Sequence, residues 1–199
     1  MAEKTLYLHG KPICTYEAPA DAAAERDLCR NLLRERGLWK PASTEGTIFR
    51  QAVAFANTAA LVYEKDLSTQ PTKNGHSAGP FVVNSAFATE LYLKTLGLLY
   101  GEKLHGHDLD KLLGGIPRAG LSAVGQKLSQ LAPQDRWSSN IKTIDDLKTV
   151  MKRHRNTFKN WRYLHEREQV EEFNFREAIF AMQVLHETCQ SHPKINPPA

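Results

Sequence analysis

The chain has 199 residues, a hydrophobic content of 41% and a formal net charge of +4. That length suffices for one domain with a sizeable core, and the apolar fraction excludes general disorder. The charge is modest, so a basic surface must come from local clustering, and a nucleic acid is a more natural partner than a polycation. Cys14, Cys29 and Cys189 form no CxxC pair, which suggests reduced thiols in a cytoplasm and not a disulfide framework. No basic segment leads into an apolar one, and no apolar run is long enough to span a bilayer. A cytoplasmic protein with no membrane partner is expected.

Residues 1–19 read as a short extended arm punctuated by Gly10, Pro12 and Pro19. A first helix is expected from Asp21 to Arg36, ended by Gly37. The arm and this helix, residues 1–45, are expected to pack on the remainder as an N-terminal extension. A second helix fits Gly46–Leu67, with Phe49, Val53, Ala56, Ala60 and Tyr63 at helical spacing. Ser68–Gly79 is a polar loop, expected to be mobile. Phe81–Tyr100 is the most apolar segment, and its apolar residues wrap around more than one face, as in a helix flanked on several sides. Glu90 and Lys94 stand at the favourable i,i+4 spacing for an ion pair.

After Gly101 come a loop and a short helical turn near His107–Leu113, then a helix over Leu121–Leu131 and a loop, APQDRWSSN. Thr143 is the expected N-cap of the next helix, with Asp145 and Asp146 in its first turn, where negative charge suits the helix dipole. A last helix is expected over Val170–Gln190, and 193–199 form a tail. No β-rich alternation, repeat or low-complexity tract recurs. The fold class is all-α.

The segment Lys148–Glu166, KTVMKRHRNTFKNWRYLHE, reads as one helix. At about 100° per residue, Lys148, Lys152, Arg155, Lys159 and Arg162 fall within roughly 80° of one another. Leu147, Val150, Met151, His154, Phe158, Trp161 and His165 fall on a neighbouring face, the one expected to be buried. The cations are candidate phosphate contacts for a nucleic acid; the alternative is a solvated helix with a buried back. His154 and His165 are expected to be core residues.

Glycine-rich phosphate loops, GxSxG and HExxH are missing. The eight histidines lack the spacing of a ligand set, so neither a metal nor another cofactor is expected. In His105–Leu109, HGHDL, Asp108 reads as the cap of a short turn whose Leu109, Leu112 and Leu113 pack inward. His107 is the alternative: an imidazole that titrates near neutral pH, brought beside the basic helix.

Three pieces in order, ELYLK within Ala86–Leu96, GHDL at Gly106–Leu109 and RNTFKNWRYLHE at Arg155–Glu166, resemble the HEPN domain family over roughly Phe81–Gln190. The resemblance implies an up-and-down helical bundle over residues 46–192 that commonly pairs into homodimers. Many members are metal-independent ribonucleases of the toxin or defence type, and others are non-catalytic binding modules. The family's ribonuclease motif is an Arg followed after four to six residues by a His. Here Arg155 and Asn156 supply the opening, but Asn160, Trp161 and Arg162 stand where the His belongs. His107 then becomes the candidate base, with Arg155, Lys159 and Arg162 as candidate cations for the developing phosphorane charge. Structural roles fall to Glu90, Asp108, Trp161 and His165, with an Arg162–Glu90 pair as one way to fix helix register. The expected function is a non-catalytic module binding RNA or a nucleotide through the basic helix, or a dimeric subunit with a protein partner. Its alternatives are a ribonuclease with a displaced base and a purely structural dimerisation module.

Overall fold

The computed structural model describes residues 2–8, 10–39, 43–69, 71–162 and 173–196; the side chains of Phe158, Lys159 and Arg162 lie outside that description. The chain divides into two compact units, Met1–Ala42 and Ser43–Ala199.

In the first unit the short extended arm read from the sequence is a β-hairpin. Strand β1 (Ala2–Leu8) pairs antiparallel with β2 (Lys11–Ala18), and a bulge between Leu6 and Tyr7 brings Tyr7 opposite Pro12. Helix α1 (Ala22–Glu35) follows, started by Asp21, whose carboxylate accepts from the Ala24 N–H at 2.7 Å. Lys4 of β1 and Tyr16 of β2 both reach Glu25 of α1, at 2.8 and 2.6 Å. The Lys4 ammonium, then the Tyr16 hydroxyl, hold Glu25 below the usual carboxylate range. Among the described residues of this unit only Ala18 and Leu33 are buried, so polar contacts do much of the joining.

The second unit is helical. Helix α2 (Thr44–Val62) starts at Ser43, whose hydroxyl accepts from the Gly46 N–H at 3.0 Å, and runs into a wider π-type turn over Tyr63–Leu67. Asp66 in that turn accepts from the Ser77 hydroxyl, which ties down the polar loop ahead of α3 (Ala78–Leu99). Then follow α4 (Leu109–Gly114), α5 (Arg118–Leu131), α6 (Ile144–Arg153), α7 (Thr157–Arg162) and α8 (Phe175–Gln190). Helix α5 starts three residues earlier than the sequence suggests, just after Pro117. The start expected for the last helix, 170–172, lies outside the described residues.

Helix α3 is the axis of this unit. It packs against α2, α4, α5, α7 and α8, and Phe81, Ala88, Leu93 and Leu96 are fully enclosed. Each Leu or Phe so enclosed contributes on the order of 1.5–3 kcal/mol, which explains why a helix apolar on every side sits here. Across the α3–α8 contact the Tyr92 hydroxyl meets His186 Nδ1 at 3.1 Å, and the His186 ring stacks on Phe49 of α2 at 5.4 Å. Cys189 is buried with its thiol donating to the Tyr92 carbonyl, and burial pushes that thiol's pKa up. Cys14, Cys29 and Cys189 are all free thiols. Among the described residues no helix is long and apolar enough to cross a membrane.

Gly97 lets the chain after α3 fold back onto it. A Cβ there would fall 2.6 Å from Leu104 Cγ and 2.8 Å from the Glu102 carbonyl oxygen. Gly97→Ala is therefore expected to lower stability by about 1–3 kcal/mol. Gly125→Ala, in mid-α5 with open space around it, should raise it by about 0.5–1 kcal/mol. Urea unfolding midpoints of the two variants check the pair.

Candidate nucleic-acid interface

The basic segment is not one helix. Helix α6 ends at Arg153, His154 leaves helical geometry at φ −97° and ψ 13°, and α7 restarts at Thr157. No glycine or proline causes the break. His154 is buried, its ring 4.6 Å from that of Phe173, and the Thr157 N–H returns to the His154 carbonyl at 3.0 Å. The Arg155 carbonyl then turns away and accepts the Leu109 N–H at 3.3 Å. Leu109 opens α4, so its N–H has no partner within its own helix. The expected single row of five cations is thereby corrected: Lys148 and Lys152 stand on α6, Arg155 in the turn, and Lys159 and Arg162 on α7.

Thr143 and Asp146 start α6 with a reciprocal capping box. The carboxylate of Asp146 accepts from the Lys142 N–H, the Thr143 hydroxyl and the Thr143 N–H, at 2.8–3.0 Å. On α6, Lys148 pairs with Asp145 at 2.9 Å, an exposed pair of little energetic weight. Arg153, absent from the expected stripe, is spent on Glu177 of α8 at 2.5 Å. Lys152, Arg155 and Asn156 are exposed, and Lys152 and Arg155 form no ion pair among the described residues.

The GHDL turn lies against this break. Gly106 takes φ +90°, a conformation that side chains disfavour. Asp108 caps α4, accepting from the Asp110 and Lys111 N–H groups at 3.1 and 3.2 Å. Leu109, Leu112 and Leu113 are buried, so the capping role read from the sequence holds. His107 Nδ1 lies 3.0 Å from both carboxylate oxygens of Glu90. Glu90 is 1% exposed on α3, and Lys94 one turn on reaches it at 2.7 Å. The Glu90–Lys94 pair was legible from spacing; the Glu90–His107 contact was not, since seventeen residues separate them and no local pattern marks it.

Trp161 is buried, its ring 6.0 Å from that of Phe173. His165, Tyr163 and Glu166 lie outside the described residues, so the Arg162–Glu90 pair falls there as well. Two groups of side chains thus meet at one joint: a buried acid with Lys94 and His107, and an exposed set of Lys152, Arg155 and Asn156. The first is built to hold α3, the GHDL turn and α4 together; the second presents positive charge and an amide to solvent. Among the described residues no group of three His, Cys, Asp or Glu side chains is arranged to hold a metal ion. Comparison with protein-family models, with curated proteins and with solved structures gives no match.

Glu90→Gln removes the charge that Lys94 neutralises and that His107 Nδ1 faces, and a charge-assisted hydrogen bond is worth about 1.5–3 kcal/mol. A loss of that size in urea unfolding is expected, and an unchanged midpoint would count against the buried pair. The start of α6 carries a pH dependence. The Lys142 N–H, then the Thr143 hydroxyl and N–H, hold Asp146 below its ordinary pKa. A depressed carboxylate stabilises above its unfolded value, near pH 4, and the contribution fades as pH falls through the folded one. The exchange protection of the Asp146 and Leu147 amides, relative to their intrinsic rates, should fall below about pH 4, and Asp146→Asn should abolish that acid dependence.

Proposed function

We propose that this chain is a HEPN-like helical module that binds RNA or a nucleotide through phosphate contacts, without the family's usual ribonuclease machinery. The observation that carries the reading is the exposed pair Lys152 and Arg155, with Asn156 beside them and no ion-pair partners among the described residues. Arginine and lysine that are not neutralised internally attract phosphate, and an adjacent amide adds a donor. Lys148 extends the surface along α6, and Lys159 and Arg162 are further candidate cations read from the sequence. Pairing into a homodimer, as the family resemblance implies, is part of the proposal because two copies would double the number of phosphates contacted. The absence of a His five to seven positions beyond Arg155 argues against the family's chemistry.

Fluorescence anisotropy with a short single-stranded RNA tests this reading. Two or three phosphate contacts predict a log–log salt slope of about −1.4 to −2. Lys152→Ala combined with Arg155→Ala should flatten that slope and weaken binding. No salt-dependent binding would leave only a structural role.

The Glu90–His107 contact supports a second reading, a metal-independent ribonuclease with a displaced base. A carboxylate facing Nδ1 holds the proton there and makes Nε2 the basic nitrogen, the state needed to take a proton from a ribose 2′-OH. On that reading Arg155 serves the phosphorane charge. His107→Ala should then reduce RNA cleavage by about 10²-fold or more; equal cleavage by the variant excludes it.

A further inference from the structure

We propose that a cleft away from the basic helix, bounded by the end of α3, the second half of α5 and the end of α8, binds a small oxyanion, a carboxylate or a phosphate ester. Its volume is about 280 Å³, close to the lower end of small-molecule sites. Gln126, Lys127 and Gln130 of α5 line one side, Tyr100 and His192 the other, and among the described residues no Asp or Glu lines it. Lys127 is half-buried and forms no hydrogen bond or ion pair among the described residues. An ammonium that lines a cleft without a counter-ion among the described residues is a charge that a bound anion would neutralise.

The polarity of His192 is fixed by its surroundings. Its Nδ1 accepts the Lys194 N–H at 3.2 Å, which leaves the proton on Nε2 and makes that atom a donor. The ring meets Tyr100 edge-on at 5.3 Å. Burial, then the Lys194 ammonium, push the imidazole below its ordinary pKa; Glu45 acts the other way but pairs with Lys194 at 3.8 Å. Two of the last carbonyls of α8 are taken by its own end: Ser191 N–H binds Glu187 O and His192 N–H binds Cys189 O, at 3.0 and 3.1 Å. The Thr188 and Ser191 hydroxyls donate to Val184 and Glu187 carbonyls. Among the groups that line the cleft, the Lys127 ammonium, the His192 imidazole N–H and the Gln126 and Gln130 carboxamides form a set of donors that matches an anion with several acceptor oxygens.

The test uses the full chain, inorganic phosphate and acetate as separate probes, and the His192 ring resonances as the readout. A saturable shift at millimolar concentration or below is expected with at least one probe, and the tighter probe identifies the class as phosphate or carboxylate. Lys127→Met should weaken it at least tenfold, with Gln130→Leu weakening it less, while Arg155→Ala should leave it unchanged. No saturable shift, or an undiminished one in Lys127→Met with the native circular dichroism spectrum, overturns the proposal.

Discussion

The buried carboxylate of Glu90 is the constraint around which the second unit is arranged. A charge with 1% exposure in the middle of the most apolar helix is costly unless it is paired and hydrogen-bonded. Lys94 satisfies it from the same helix and His107 from the following loop. The second contact fixes where the GHDL turn must lie, and with it the start of α4. From there the Leu109 N–H reaches the Arg155 carbonyl and fixes the turn between α6 and α7. One buried acid thereby orders three segments that are far apart in the sequence.

This chain of contacts also decides how the cations are displayed. A continuous helix would have set five of them in one row. The break at His154–Asn156 instead makes Arg155 part of a turn whose backbone is already committed to α4. Arg155 therefore combines two independent roles, a structural carbonyl and an exposed guanidinium. Substituting its side chain leaves the carbonyl contact in place, so binding and folding are separable at this residue.

Features set by local chemistry were legible in the sequence. The all-round apolar character of α3, the Thr143 start of α6 with its acidic first turn, the Asp108 cap and the Glu90–Lys94 spacing all depend on residues within a turn or two of each other. The break between α6 and α7 was not, because no glycine or proline interrupts residues 148–166. Its cause is a tertiary hydrogen bond to a segment more than forty residues earlier. The N-terminal hairpin was obscured differently. Leu6, Tyr7 and Leu8 are consecutive, and the bulge after Leu6 shifts the register, so period-two alternation is blurred. Gly10 between two segments rich in β-branched and aromatic residues was the available signal.

The central position of α3 has a consequence for biosynthesis. Its surface is covered partly by α2, which precedes it, and partly by α4, α5, α7 and α8, which follow. The Tyr92–His186 contact spans 94 residues. At about 5–20 residues per second, α3 leaves the ribosome on the order of 5–20 s before α8 does. Throughout that interval the part of its surface that α8 covers stays open. The nascent chain is therefore exposed to aggregation and to holding factors from the emergence of α3 until α8 docks, although most of the same helix is buried in the finished bundle.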